Sequence, residues 1–187
     1  MDPIERRVFM QGAMIGTLAF VVDGAETLLT PRQAYAQGVA LRTLKPEEAR
    51  TLEAVGEALV PGARTAGIVP FVDQQISIPP EEALLEARIM NVRPPFADFY
   101  RAALGAIERA SKAHNSERGF ADLDAAAQHA FIDSMRQDKL EGWQGPRAPF
   151  VYFLLRTDAV DVVYGTMDGY AKLGVPYMPH IAPTRSW

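Results

Sequence analysis

The sequence predicts an all-α protein, a small bundle of about five to six helices followed by an extended C-terminal arm rich in proline, glycine and aromatic residues. Two observations support this prediction. Apolar residues recur at intervals of three and four over most of the chain, which is the spacing of one face of a helix. Several of these runs also begin after proline and acidic residues and end at glycine or proline, as helices do.

The first half of the chain is predicted to hold three helices. The first begins at Lys45-Pro46-Glu47-Glu48, where Pro46 suits the first turn and both acids face the positive end of the helix dipole, and it ends at Pro61-Gly62. A short helix over residues 68–76 follows. A third is predicted to begin at Pro79-Pro80-Glu81-Glu82, and its inner face comprises Ala83, Leu84, Ala87 and Met90.

The second half contains the clearest amphipathic stripe, over residues 96–110. A polar loop over residues 114–119 separates this helix from the next, for which Asp124 is a suitable N-cap. The run that begins at Pro149 is apolar all round, as in a central buried helix, and Gly165 is a suitable end for it.

Composition excludes several classes of function. The 187 residues fit one domain, and 48% apolar with 22% charged residues is a globular composition. A net charge of −4 without a basic stripe argues against nucleic-acid binding, which depends on neutralising phosphates. The chain has no cysteine, so disulfides, thiolate catalysis and cysteine-ligated metal sites are excluded.

The N-terminus has the features of an export signal, predicted to span residues 1–36. Arg6 and Arg7, with Phe9 two residues later, precede an apolar run over residues 12–22, and an Ala34-x-Ala36 step follows. The arginine pair resembles the twin-arginine type of signal, which directs export of folded proteins. Such a segment is either removed after Ala36 or retained. The alternative is an amphipathic N-terminal helix of the domain that carries two arginines.

The C-terminal residues differ in kind from the helical domain, which is predicted to span residues 37–168. Residues 169–187 hold glycines and prolines at a density that forbids a long helix. Between them stand aromatic residues and a methionine, which are types enriched in the cores of protein interfaces. The sequence therefore predicts an extended tail that binds a partner through Tyr170, Tyr177, Met178, His180 and Trp187.

No residue is predicted to be catalytic, to bind a cofactor or to ligate a metal. The three histidines have no metal-ligand spacing. We expect His129 to be partly buried on a helix, His114 to be solvated in a loop, and His180 to form a hydrogen bond at an interface. We expect Asp158 and Asp161 to form a solvated or interfacial charge patch. No serine elbow, dinucleotide-binding turn or phosphate loop is present in the sequence.

Several segments, in order and spacing, resemble the gluconate 2-dehydrogenase subunit 3 family. They are residues 44–55, the Leu59-Val60-Pro61-Gly62 step, residues 66–75, and the closing Tyr164-Gly165 with Gly169-Tyr170-x-x-Leu173-Gly174-x-Pro176. The sequence departs from the family pattern at Lys45, where Thr or Ser is common, and at residues 165–168, where Gly-Gly-Asn-Arg is usual. The ending over residues 176–181 suggests a sugar or glycoside dehydrogenase branch.

The resemblance implies a non-catalytic partner chain. In this family FAD and the chemistry belong to a large subunit of the glucose–methanol–choline (GMC) oxidoreductase type, and a cytochrome c subunit with haem c often accepts the electrons. This chain would then aid the export, folding and stability of the large subunit on the periplasmic side, attached to the inner membrane through the complex. Two alternatives stay open: a free-standing exported helical protein that binds a small ligand, and an enzyme whose histidine–aspartate site assembles only in the fold.

Overall fold

The computed structural model describes residues 16–174, with the side chain of Met167 excepted. It confirms the predicted helical bundle and adds one small two-stranded sheet, which the sequence analysis did not predict. No helix within residues 16–174 is long and apolar enough to cross a membrane.

The sheet is an antiparallel hairpin of β1 (Leu18–Val22) and β2 (Ala25–Leu29). Asp23 and Gly24 form the turn with φ values of 50° and 80°, the left-handed pair that a two-residue hairpin loop requires. The side chains of Phe20 and Leu29 are buried on the inner face. Part of the apolar run predicted for the export signal is therefore a β-strand here.

Helix α1 (Pro31–Ala36) follows the hairpin directly. The side chain of Thr30 accepts from Gln33 N–H, and the side chain of Gln33 accepts from Thr30 N–H, which together form a capping box. This helix packs on two short helices further along the chain, Ala63–Ala66 and Ile68–Gln75.

Helix α2 (Pro46–Leu59) confirms the first predicted helix, and Glu48 accepts from the backbone N–H of Lys45 at 2.8 Å. Two shorter helices follow, α3 (Ala63–Ala66) and α4 (Ile68–Gln75), and the second of these confirms the predicted helix over residues 68–76. Gly67 joins them with φ at 89°, a conformation that strongly favours glycine.

The prediction of a helix beginning at Pro79-Pro80-Glu81-Glu82 was wrong. The chain forms turns there, and the only helical turn of this stretch is α5 (Glu86–Ile89). The backbone N–H of Leu84 donates to the buried side chain of Gln75 instead of to a helical carbonyl, and Leu85 is extended. Glu81 and Glu82 therefore do not lie in the first turn of a helix.

Helices α6 (Phe96–His114) and α7 (Ala125–Arg136) confirm the amphipathic stripe and the Asp124 cap, whose carboxylate accepts from Ala127 N–H at 2.9 Å. A short 3-10 turn, Phe120–Asp122, lies between them. His129 is exposed on α7, so its prediction as a partly buried residue was wrong. His114 is exposed, and its Nε2 lies 2.9 Å from the carbonyl oxygen of Glu141.

Helix α8 (Ala148–Tyr164) is the central helix that the sequence predicts, and it ends at Gly165. It contacts α2, α3, α4, α5 and α7. The core around it includes the fully buried side chains of Leu52, Ile68, Tyr100, Leu104, Ile107, Met135, Leu154 and Leu155.

Helix α9 (Met167–Lys172) closes the described chain and packs on α8. It corrects the prediction of an extended tail from residue 169, because residues 169–172 are helical. Gly169 makes this packing possible, since a Cβ there would lie 2.5 Å from the Cα of Tyr164. The rest of the predicted tail lies outside the described residues.

Candidate partner interface

Within residues 16–174, no group of three or more histidine, aspartate or glutamate side chains could hold a metal ion. A groove of about 260 Å³ lies between α2 and α6, but charged side chains of both signs line it, among them Glu47, Arg50, Arg101 and Glu108. Ligand pockets are usually lined by apolar and aromatic side chains.

The clearest candidate for a functional surface is the α5 segment, which we define as residues 83–92. Its small or inward-facing side chains Ala83, Leu85 and Ala87 are completely buried. Three other large side chains of the segment are exposed: Leu84 at 59%, Ile89 at 68% and Met90 at 42%. Exposed apolar patches on soluble proteins often mark protein–protein contact surfaces. The three exposed side chains, within seven residues, make the segment a candidate for such a surface.

Backbone hydrogen bonds hold the C-terminal end of the α5 segment in one conformation. Asn91 adopts a left-handed φ of 56°, its N–H donates to Arg88 O, and Val92 N–H donates to Ala87 O at 2.9 Å. This pattern is a Schellman motif with asparagine in the usual position of glycine.

Side-chain hydrogen bonds fasten the start of the segment to the bundle. The buried amide of Gln75 accepts from Leu84 N–H and donates to the amide oxygen of Gln74 at 2.7 Å. The guanidinium of Arg88 donates to Ala83 O at 3.0 Å. The exposed apolar side chains therefore project from a backbone that is fixed at both ends.

Asp158 of α8 lies beneath the α5 segment and is completely buried. Its Oδ2 accepts from the hydroxyl of Tyr100 at 2.5 Å, and its Oδ1 accepts from Glu86 N–H at 3.5 Å. The carboxylate thus connects α6 and α8 to the first residue of α5. The prediction that Asp158 belongs to a solvated or interfacial charge patch was wrong, whereas Asp161 does lie at the surface.

The surroundings of Asp158 favour its neutral form. Burial raises the pKa of the Asp158 carboxyl to about 7, although the hydrogen bonds from Tyr100 and Glu86 N–H act in the opposite direction. Asp161 lies at the surface, but partial desolvation of its carboxyl raises its pKa, and repulsion from Glu86 adds to this shift. Burial, together with the Asp158 charge, raises the pKa of Tyr100 well above its usual range, so its hydroxyl remains a donor.

The residues predicted for the export signal and the tail fall in different places. Arg6, Arg7 and Phe9 lie outside the described residues, as do Tyr177, Met178, His180 and Trp187. Ala34 and Ala36 lie in α1, and Tyr170 is half-buried in α9. The α5 segment was missed because its leucine and methionine were assigned to the inner face of a longer helix.

Comparison with known proteins gives one match. The family model described as gluconate 2-dehydrogenase subunit 3 matches residues 46–179, more than two thirds of the chain. No curated protein and no solved structure matches. The matched range includes the α5 segment, Asp158 and α9, and it begins after the hairpin and α1.

Proposed function

Because the chain belongs to the gluconate 2-dehydrogenase subunit 3 family, we propose that it is the non-catalytic small subunit of an FAD-dependent sugar or glycoside dehydrogenase. In this proposal a GMC-type flavoprotein holds the FAD and oxidises the substrate, and a cytochrome c subunit with haem c receives the electrons. The present chain aids the export, folding and stability of the flavoprotein, and the complex works in the periplasm or at its membrane.

The exposure of Leu84, Ile89 and Met90 on the α5 segment is the observation that carries this proposal. A subunit of a complex needs a surface whose burial stabilises the assembly. Burying a large apolar side chain is worth roughly 1.5–3 kcal/mol when the side chain is otherwise fully exposed. The side chains of Leu84 and Ile89 are more than half exposed and can contribute a large part of that value on contact with a partner.

The fixed backbone of the segment supports the same function. Ordering a loop or side chain at an interface costs free energy that reduces affinity. The Schellman motif at Asn91 and the hydrogen bond from Leu84 N–H to Gln75 hold the segment in place before it binds. The contact residues therefore need less ordering when the flavoprotein arrives.

The export role rests on Arg6, Arg7 and Phe9 in the sequence. We propose that this pair directs the folded complex through the twin-arginine route, so that the flavoprotein reaches the periplasm with its FAD bound. His114 on α6 and His129 on α7 are both exposed, whereas Asp158 is completely buried in α8.

The proposal is tested by deleting the gene for this chain in its own host and assaying dye-linked sugar oxidation in cell fractions. We expect periplasmic activity to disappear on deletion and to return with the wild-type gene. The gene with Arg6→Lys and Arg7→Lys should restore a chain that stays in the cytoplasm with the flavoprotein. Undiminished periplasmic activity in the deletion strain would refute the proposal.

A further inference from the structure

The predicted removal site after Ala36 lies inside a folded unit. The hairpin and α1 share a small hydrophobic core, which consists of the buried side chains of Phe20, Leu29 and Ala34 with Leu18, Val22 and Val39 around them. The amide of Gln74 in α4 donates to Ala19 O at 3.4 Å, which connects β1 to the bundle.

The geometry of α1 separates Ala34 and Ala36, whose side chains a processing enzyme would have to bind at the same time. In an extended chain residues i and i+2 lie on the same face, so both alanines of an Ala-x-Ala step can enter adjacent pockets. In α1 they lie on opposite sides of the helix, and Ala34 is completely buried whereas Ala36 is exposed.

The backbone around this step is also occupied. Ala34 N–H donates to Thr30 O at 2.9 Å, Gln37 N–H to Gln33 O at 3.0 Å, and Val39 N–H to Ala34 O at 3.0 Å. Proteins that recognise an extended peptide usually pair with its backbone groups. These groups become available only if α1 opens.

A close contact with α3 and α4 holds α1 in place. Gly67 lies against the start of α1, and a Cβ on Gly67 would be 2.1 Å from Pro31 O. The two backbones thus touch without intervening side chains. Shortly beyond α1, the carboxylate of Asp73 accepts from the N–H groups of Arg42, Thr43 and Leu44 at 2.7, 2.9 and 2.7 Å.

We infer that residues 18–36 are a permanent part of the folded domain and that the folded chain is not cleaved after Ala36. Any processing that leaves the fold intact must cut before Leu18. This inference does not depend on the proposed function, because it follows from the packing of the hairpin and α1 whether or not Arg6 and Arg7 direct export.

The first test is amide hydrogen exchange on the purified full-length chain, followed by limited digestion with elastase, which cuts after small residues. We expect the amides of Ala34, Gln37 and Val39 to be protected like those of α4, and we expect no cut after Ala34 or Ala36. Exchange of these amides at the rate of an unfolded peptide, or rapid cutting after Ala36, would overturn the inference.

Two glycine variants show whether the contact with α1 provides this protection. In Gly67→Ala the new Cβ would clash with Pro31 O. Gly62→Ala is the control, because residue 62 has a φ of 94°, similar to the 89° of Gly67, but its new Cβ would have nothing within 4 Å. We expect exchange in α1 to be faster in Gly67→Ala by tenfold or more, on the order of what such strain costs, and unchanged in Gly62→Ala. Equal effects of the two variants would contradict the assigned contact.

A milder variant keeps the test decisive if Gly67→Ala fails to fold. Thr30→Ala removes the N-cap of α1 and should speed exchange of the α1 amides by about fivefold while leaving α6 unchanged. Intact mass of the chain isolated from its own host completes the test. A mass that includes residues 18–36 supports the inference, and a chain that begins at Gln37 refutes it.

Discussion

The hydroxyl of Tyr100 lies 2.5 Å from Oδ2 of Asp158 at a point where both side chains are completely buried. The pair joins α6 to α8, and the second oxygen of Asp158 faces the N–H of Glu86 at the start of α5. A buried carboxyl without a cationic partner costs free energy when it is ionised. The stability of the bundle should therefore depend on pH through this residue.

Replacing Asp158 with Asn should flatten the pH dependence of stability. Asp158 has a pKa of about 7 in the folded chain and about 4 in the unfolded chain. Protonation of Asp158 therefore stabilises the folded chain, and this contribution to the free energy of unfolding is complete below about pH 4. The contribution is lost as the pH rises through about 7, and the loss is on the order of 4 kcal/mol. Urea unfolding across this range would detect it, and an equal loss in Asp158→Asn would contradict the assignment. Asp161→Asn is the control, because Asp161 is exposed and should change the profile less.

Tyr100→Phe should destabilise the protein more at high pH than at low pH. The variant removes the hydroxyl that donates to Asp158 and leaves an ionised carboxylate with only the long contact to Glu86 N–H. Loss of a hydrogen bond to a charged group costs about 1.5–3 kcal/mol. We expect a cost of this size above about pH 8 and a smaller cost below about pH 5, where the carboxyl is neutral. A cost independent of pH, measured by urea unfolding, would argue against this role of the hydroxyl.

Asp73→Asn should release the segment that leads into α2. The carboxylate of Asp73 accepts from three successive backbone N–H groups, whereas an amide offers one oxygen and places its NH₂ against a donor. Thr43 and Leu44 N–H both donate to Oδ1 of Asp73, whereas Arg42 N–H donates to Oδ2, the position that the NH₂ group would take. Leaving a donor unpaired costs about 1–3 kcal/mol where it is buried. Hydrogen exchange should therefore show loss of protection first at Arg42. Full protection there in the variant would mean that another group replaces the carboxylate.

Gly169→Ala should displace α9 from α8. The added Cβ would lie 2.5 Å from the Cα of Tyr164 and 2.6 Å from Val163 O, which are backbone atoms that cannot move aside cheaply. Gly105→Ala is the matched control, because it sits within α6 and meets only the flexible side chain of Arg109 at 3.1 Å. Thermal unfolding should show a lower Tm for Gly169→Ala and an unchanged or higher Tm for Gly105→Ala. Equal Tm shifts would contradict the close packing at Gly169.

Most of the bundle could be predicted from the sequence because its helices carry local signals. Pro46 and the acids after it begin α2, Asp124 begins α7, and Gly165 ends α8, each through interactions within a few residues. The hairpin was missed although it carried a signal of the same kind. The Asp23-Gly24 pair between two apolar runs is a strong hairpin indicator, but the sequence analysis placed it within the predicted export signal.

The candidate interface could not be predicted, since long-range contacts decide it. The side chain of Gln75 accepts a hydrogen bond from Leu84 N–H, and Asp158 accepts one from Glu86 N–H, 72 residues away in the sequence. Residues 83–85 lie outside helix α5 as a result, and Leu84 and Met90 are exposed. Nothing in the local sequence distinguishes this outcome from the amphipathic helix that the spacing favours.

In the proposed complex, the chain binds the catalytic flavoprotein through its α5 segment. The most direct measurement is the affinity of the tagged chain for the GMC-type flavoprotein, with flavin absorbance as the readout of bound partner. We expect Ile89→Ser, and more strongly Leu84→Ser with Ile89→Ser, to weaken binding by about 2 kcal/mol or more, which is roughly thirtyfold. Leu41→Ser is the control, because Leu41 is also exposed, at 36%, but lies in a different loop.

All of these variants should keep the wild-type Tm, since the side chains they change are exposed. We expect the α5 variants to lose flavoprotein and the Leu41 variant to retain it. Equal flavoprotein binding by wild type, the α5 double variant and the Leu41 variant would contradict the proposed contact.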